Sequence, residues 1–272
     1  MPHKTIAFIG AGNMAFAIIS GLIRSGYPAQ KIIANNKNNL QRRADFAKLG
    51  VMVGLSNRQA VEQADVVVLA VKPQMIAEVC SDFSQLDFSQ KWVISIAAGI
   101  SIARLESLLP TAKIIIRTMP NTPALIGEGM TGIFAKKGLD QTACQFVEQL
   151  FSAVGRYYWL DEEAKINQII ALTGSSPAYF FYFMEAMQQA AIKIGISEAD
   201  ARLLVQSVAL GTAKMVAVNK EHSFTTLREN VTSKGGTTAK AIAVFEQYKL
   251  TEMVEQAMQA AILRAEEMEV SL

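Results

Sequence analysis

The sequence predicts an α/β chain: a doubly wound parallel sheet with helices, followed by an all-α helical half. Three observations predict it. Short β-branched runs alternate with helix-length stretches through about residue 160. Several of those runs (VVVLAV, WVISIA, KIII) are near-continuous apolar segments, as strands covered on both faces require. After Leu160 the strand pattern stops and only helical patterning continues. The boundary is placed at Leu160-Asp161, giving domains 1–160 and 161–272.

In chain order, strands are expected at 5–9, 31–35, 51–53, 66–71, 92–96 and 113–117, with edge strands at 132–135 and 156–159. Helices are expected between them at 14–25, 39–49, 58–63, 74–83, 102–108 and 141–151. The second half reads as helices at 162–172, 177–194, 198–218, 225–231, 238–247 and 252–268. Residues 179–184, YFFYFM, are apolar on every side, and such a helix has to be buried all round. Six helices in about 110 residues make a thin core for that. Met253, Ala257, Ala260 and Ala261 add a stripe suited to close helix packing. A homodimer through the C-terminal helices is therefore expected.

Composition narrows the class. A chain of 272 residues, 51% hydrophobic and 18% charged, buries a large core and has room for two domains. Its mean hydropathy is +0.23. Yet the longest apolar stretches, 66–71 and 92–98, fall far short of the ~18 residues a spanning helix needs, so no membrane partner is expected. Met1-Pro2-His3-Lys4 runs straight into a strand-like segment without a signal-peptide pattern, and a cytoplasmic location is expected. Two cysteines, Cys80 and Cys144, exclude a disulfide scaffold and a Cys-rich zinc module; both are read as free thiols. With His3 and His222 the only histidines, neither a His-based metal site nor a Ser-His-Asp triad is expected. Residues 1–160 carry 16 basic and 10 acidic side chains, the remainder 10 and 14. That mild basic excess suits a phosphate-bearing small ligand and is too weak and unclustered for nucleic acid.

The first chemical motif is Ile9-Gly10-Ala11-Gly12-Asn13-Met14-Ala15, a G-x-G-x-x-A turn after a strand and before a helix. Gly10 permits the tight turn, Gly12 lets the backbone approach a pyrophosphate, and Ala15 lets the helix pack closely on the sheet. The helix N-terminus offers N–H groups and partial positive charge. This defines a Rossmann-like dinucleotide site. An NAD site usually carries an acid at the end of the second strand, to accept from the ribose 2′-OH. Here that end reads Asn35-Asn36-Lys37-Asn38, with Arg42-Arg43 following. Amides and cations favour a 2′-phosphate, so NADP(H) is the expected cofactor, with NAD(H) the alternative. Ligands of such sheets lie outside the carboxyl ends of the strands. Ala70-Val71-Lys72-Pro73, Ala97-Ala98-Gly99 and Met119-Pro120-Asn121-Thr122-Pro123 occupy those ends, and their small residues leave room for a nicotinamide. Lys72 reads as a phosphate or ribose contact, a solvated strand end, or a catalytic acid. Ser56-Asn57 reads as a helix cap that also faces the adenosine side.

The second motif is the turn 233–238: Ser233-Lys234-Gly235-Gly236-Thr237-Thr238, between two helices. It presents backbone N–H groups and hydroxyls at a helix start, which suits a carboxylate. Thr238 can cap the helix that follows; a plain capped linker is the structural alternative.

The segments IGAGNMA, LAVKPQ, ISIAAGIS, RTMPNTPALIGEG, LTGSSPAYFF and LRENVTSKGGTTAKAI resemble the pyrroline-5-carboxylate reductase family, which completes proline biosynthesis. They occur in the family's order across both halves. The resemblance implies an interlocked dimer, often built further into a ring of dimers, and a small-molecule substrate, 1-pyrroline-5-carboxylate. It places the pyrophosphate at Ile9, Gly10, Ala11, Gly12, Asn13 and Met14, and adenosine near Asn36 and Asn57. Ribose and nicotinamide fall to Ala70, Val71, Lys72, Pro73, Ala97 and Ala98, with Asn230 also near the cofactor. It gives the substrate carboxylate to Ser233, Gly235, Gly236, Thr237 and Thr238, and the ring nitrogen to the Thr238 hydroxyl as the catalytic contact. Lys234 stands where many relatives have proline.

Reduction of a protonated cyclic imine needs little acid–base machinery, which fits the few candidates here. Two other readings compete. A different imine reductase or a β-hydroxyacid dehydrogenase would use a helical lysine, for which Lys165 is the nearest candidate. A non-catalytic NADP sensor would leave the turn 233–238 without a purpose.

Overall fold

The computed structural model describes residues 3–35 and 40–271. They divide into two compact units, Met1–Ser175 with Ala261–Leu272, and Ser176–Ala260.

Among the described residues of the first unit, eight strands form one sheet. They are β1 (Ile6–Ile9), β2 (Ile32–Asn35), β3 (Met52–Val53), β4 (Val66–Leu69), β5 (Trp92–Ser95), β6 (Ile114–Met119), β7 (Gly129–Ala135) and β8 (Gly155–Trp159). Their order is β3-β2-β1-β4-β5-β6-β7-β8. Neighbours run parallel except β6 and β7. The order reverses between β1 and β4, so a crevice is expected at their carboxyl ends.

Two-faced burial explains the apolar runs. Ile6 and Phe8 face one core layer with α1 (Asn13–Arg24) and α6 (Gln141–Ser152); Ala7 and Ile9 face the other. That second layer also takes side chains of α3 (Asn57–Gln63), α4 (Ile76–Ser81) and α5 (Ile102–Leu108). α2 (Leu40–Lys48) completes the set before β3. Polar side chains set the helix starts. Ser56, Ser101 and Asp140 accept from the backbone N–H groups of Gln59, Arg104 and Ala143. Cys80 is buried and Cys144 half-buried, both as free thiols, and burial pushes the Cys80 thiol up to about 12.

Several expectations need correction. The 132–135 strand begins at Gly129 and is interior, between β6 and β8; β8 is the edge. Gly132 is the reason it can lie there, since a Cβ would stand 2.7 Å from Ile169 Cγ2. The 74–83 helix opens as a 3₁₀ turn, Pro73–Met75, because Pro73 cannot donate and holds Lys72 extended. The 162–172 helix is a short α7 (Lys165–Ile169) running into a π turn, Ile170–Gly174, closed by Ser175 N–H donating to Ile170 O at 2.7 Å.

The second unit is helical: α8 (Ser176–Lys193), α9 (Glu198–Val218), α10 (Phe224–Asn230), α11 (Thr237–Gln247) and the first turns of α12 (Leu250–Ser271). Ser197 and Ser223 cap α9 and α10. The YFFYFM segment, expected to be buried, faces outward in the single chain, with Phe180, Phe181 and Tyr182 64–74% exposed. No single apolar run is long, but α9 as a whole is long and apolar enough to cross a membrane by length and composition.

Two expected outcomes follow from this packing. Gly155 has φ +148°, and a Cβ there would stand 2.1 Å from Gly129 O on the paired strand. Gly155→Ala should therefore lower stability by about 2–4 kcal/mol, read from the urea midpoint. Tyr27 donates its hydroxyl to Lys4 O; burial first, then Asp65, raises its pKa from 10.0 to about 12. The folded chain thus keeps this proton while the unfolded chain loses it, so the stability it contributes declines as pH rises from 10 towards 12. Tyr27→Phe should flatten that part of the alkaline denaturation curve.

Candidate active site

The nucleotide turn is built on close backbone approach. Gly10 has φ +88°, and a Cβ would lie 2.5 Å from Val71 Cγ1 and 2.7 Å from Ala70 O. Its N–H donates to Asn35 O at 3.1 Å, and Ala70 N–H donates to Ile9 O at 2.8 Å. The carboxyl ends of β1, β2 and β4 are thereby locked together. Gly12, by contrast, is exposed, and its missing Cβ would meet nothing within 4 Å. It is the N-cap of α1, with no side-chain cap and no acid in the first turn. Ala15 is buried against the sheet, as its role in the motif demands. The turn thus offers open space bounded by helix-start amides, which fits a diphosphate.

The adenosine side is defined by side-chain amides. Asn35 donates to Asn57 Oδ1 at 2.6 Å, and Asn57 donates to Asp82 Oδ2 at 2.8 Å. Ser56 forms a capping box with Gln59, so Ser56 is the cap and Asn57 is left to face β2. Arg42 donates to Asn13 Oδ1 at 2.5 Å and lies over the Phe16 ring at 5.0 Å. Asn36 lies outside the described residues. Asp82 gave no sequence signal, since it is the C-cap residue of α4 and nothing local marks it.

Ala70, Val71 and Pro73 are half-buried at the end of β4, and Lys72 is exposed. Ala97 is buried and Ala98 half-buried after β5. Ser95 Oγ accepts from Ala97 N–H at 3.3 Å, and Ser95 O accepts from Thr118 Oγ1 at 2.9 Å. Asn121 organises the proline-flanked loop, donating to Thr173 O at 3.0 Å and accepting from Met130 N–H at 2.9 Å. The structure therefore gathers residues 9–14, 57, 70–73 and 97–98 at the carboxyl ends of the strands of one sheet.

The other predicted residues lie in the second unit. Asn230 ends α10 and is exposed. In the turn 233–238, Gly235 has φ +74° and Gly236 N–H donates to Ser233 O at 3.0 Å. Gly236 is the N-cap of α11, without a side-chain cap and without an acid in the first turn. Thr238, expected from sequence to cap α11, does not; it sits exposed in the first helical turn beside Thr237. Lys165, the lysine of the competing reading, is held by Asp161 at 2.7 Å, and that carboxylate raises its pKa. A raised lysine is poorly matched to proton shuttling near neutrality. Among the described residues no group of His, Cys, Asp and Glu could hold a metal.

Fold, glycine turn and a strand order that reverses between β1 and β4 define a dinucleotide-binding protein of the Rossmann class. Residues 5–99 match the family described as NADP oxidoreductase coenzyme F420-dependent, and residues 163–268 that described as pyrroline-5-carboxylate reductase dimerisation. The chain is 55% identical to pyrroline-5-carboxylate reductase of Haemophilus influenzae, over 99% of both chains. It is similar to the solved pyrroline-5-carboxylate reductase of Coxiella burnetii, at 41% identity and TM-score 0.90 over 98% of each chain. The Plasmodium falciparum pyrroline carboxylate reductase with NADP bound superposes with TM-score 0.87 at 26% identity, covering 99% of each chain. The chain belongs to the pyrroline-5-carboxylate reductase family.

The open space at Gly12 gives a sharp expectation. Its backbone is extended (φ −81°, ψ −168°), so Gly12→Val is sterically free within the fold. The melting temperature should hold, while dinucleotide affinity, measured by calorimetry, should fall on the order of 100-fold because the side chain fills the diphosphate space.

Proposed function

We propose that this protein reduces 1-pyrroline-5-carboxylate to L-proline with NADPH. The observation that carries the reading is the start of α11: a glycine N-cap, no acid, and exposed hydroxyls at Thr237 and Thr238. Helices α3, α5, α6, α9 and α10 begin under a Ser or Asp side chain. The two helices assigned to anions, α1 and α11, begin instead at Gly12 and Gly236 with their caps open. Such a start binds an anion through backbone N–H groups and dipole.

In this reading residues 9–14 hold the pyrophosphate, and Asn36 and Asn57 the adenosine end. Residues 70–73, Ala97, Ala98 and Asn230 contact ribose and nicotinamide. Arg42, beside Asn13, supports preference for the 2′-phosphate of NADP(H) over NAD(H). NADPH supplies the hydride when bound. The protein's own share is grip and orientation. Ser233, Gly235, Gly236 and Thr237 hold the substrate carboxylate, and the Thr238 hydroxyl hydrogen-bonds the ring nitrogen. The imine arrives protonated or takes its proton from water; the C=N double bond becomes a single bond as carbon gains the hydride, and the nitrogen keeps its proton. An alcohol is a weak acid, so Thr238 orients rather than donates freely.

The match to a dimerisation domain over residues 163–268 supports a homodimer through the C-terminal helices. The outward aromatic side chains of α8 and the apolar length of α9 then meet protein rather than lipid. Further assembly of dimers, a cytoplasmic location and a division into nucleotide (1–160) and helical (161–272) domains belong to the same proposal.

The test is NADPH absorbance with synthetic pyrroline-5-carboxylate. Thr238→Ala should lower kcat by about 10–100-fold and leave NADPH affinity unchanged. Unchanged turnover removes Thr238 from the reaction. Cofactor binding without consumption, with any imine, favours a sensor instead.

A further inference from the structure

The loop after β5 is held by a buried charge cluster. Arg117 on β6 is 1% exposed, and its guanidinium faces Glu163 at 3.1 Å and Glu269, near the end of α12. The Glu163 Oε1 that meets Arg117 also accepts from Ile102 N–H, the first residue of α5, at 2.7 Å. Glu269 in turn accepts from Asn167 Nδ2 at 3.2 Å. At the loop's other end Ala97 N–H donates to Ser95 Oγ, and Ser95 O accepts from Thr118, the neighbour of Arg117. In its middle Gly99 packs under α12, where a Cβ would stand 2.9 Å from Met268 Cβ. The segment 97–102 is thus held at its end by Glu163 and in its middle by Met268 beside Glu269, while its start is held by Ser95, whose carbonyl meets Thr118 next to Arg117.

We infer that Arg117, Glu163 and Glu269 are positioning residues for the nicotinamide wall. They set the placement of Ala97 and Ala98 for hydride transfer without touching cofactor or substrate. The inference rests on the nicotinamide placement proposed above. Stability alone is a poor reason for the cluster, since apolar side chains of equal volume usually serve a core as well or better. Arg117 Nε, moreover, is buried without a hydrogen-bond partner among the described residues, a cost a purely stabilising group would avoid. What an arginine adds is a rigid planar fork that meets two carboxylates from two elements at fixed angles.

The experiment compares NADPH with 2′-phospho-ADP-ribose, the same molecule without its nicotinamide. In Glu163→Ala, Gly99→Ala and Arg117→Met, NADPH affinity and kcat should each fall at least about tenfold, because small misplacements of reacting groups are costly. Affinity for the fragment should stay within about twofold of wild type, since the diphosphate and adenosine contacts are untouched. With 4-deuterated NADPH the isotope effect on kcat should rise. Arg117→Lys, which keeps charge but loses the fork, should fall between. Glu163 is a quarter exposed, so its alanine variant carries the test if Arg117→Met does not fold. Parallel loss of NADPH and fragment, or wild-type values for both with wild-type kcat, overturns the inference. Ala98→Leu separates it from the reading beneath: it should weaken NADPH and spare the fragment. If it treats both alike, the nicotinamide placement itself fails.

Discussion

The close approach of Gly10 to the end of β4 is the constraint on which the nucleotide half depends. With no side chain and a left-handed backbone, this residue turns the chain within van der Waals distance of Ala70 and Val71 while its N–H reaches Asn35. Three parallel strands are thereby brought level at their carboxyl ends, and α1 starts two residues beyond Ala11, after its N-cap Gly12. A larger residue would overlap main-chain atoms of β4, which cannot yield without shifting the sheet. The strand ends, the open space at Gly12 and the start of α1 all lie beside that one contact.

The chemistry is correspondingly sparse. None of the residues assigned to the two candidate sites is a histidine, and the two open helix starts carry their charge in the backbone. Reduction of an already electrophilic imine asks for alignment more than for proton transfer, so the fold spends its polar side chains on holding loops: Asn121 on the π turn, Asn57 on β2, Ser95 on Ala97. These groups are short and buried or half-buried; Asn121 and Ser95 bind backbone and Asn57 binds the side chains of Asn35 and Asp82, which is how a scaffold keeps a site rigid.

Much of this was legible in the residues. Apolar runs gave the central strands because both faces are covered, and the helices expected at 102–108 and 198–218 are α5 and α9, which begin under the Ser101 and Ser197 caps. The glycine turn carried its own meaning. What escaped depends on neighbours distant in sequence. Gly129 and Gly132 weakened the β7 pattern, although they are there to admit Ala124 and Ile169. The π turn needs Asn121 to hold it. Thr238 looked like a cap because a hydroxyl before an apolar stretch usually is one, but Gly236 already occupies that position. Arg117 ends the isoleucine run of β6 with no sign of a role, and Glu163 and Glu269 give no local sign that they face it.

Helices α8 and α9 turn large apolar side chains away from their own chain, and the family to which the chain belongs carries a dimerisation domain over this stretch. In the dimer proposed above, part of each subunit's hydrophobic interior is completed by another molecule. Stability then depends on concentration, so dilution acts on this protein as a mild denaturant. It also means that a subunit with a ruined nucleotide half but intact helices would still pair, and would sequester sound partners in mixed assemblies.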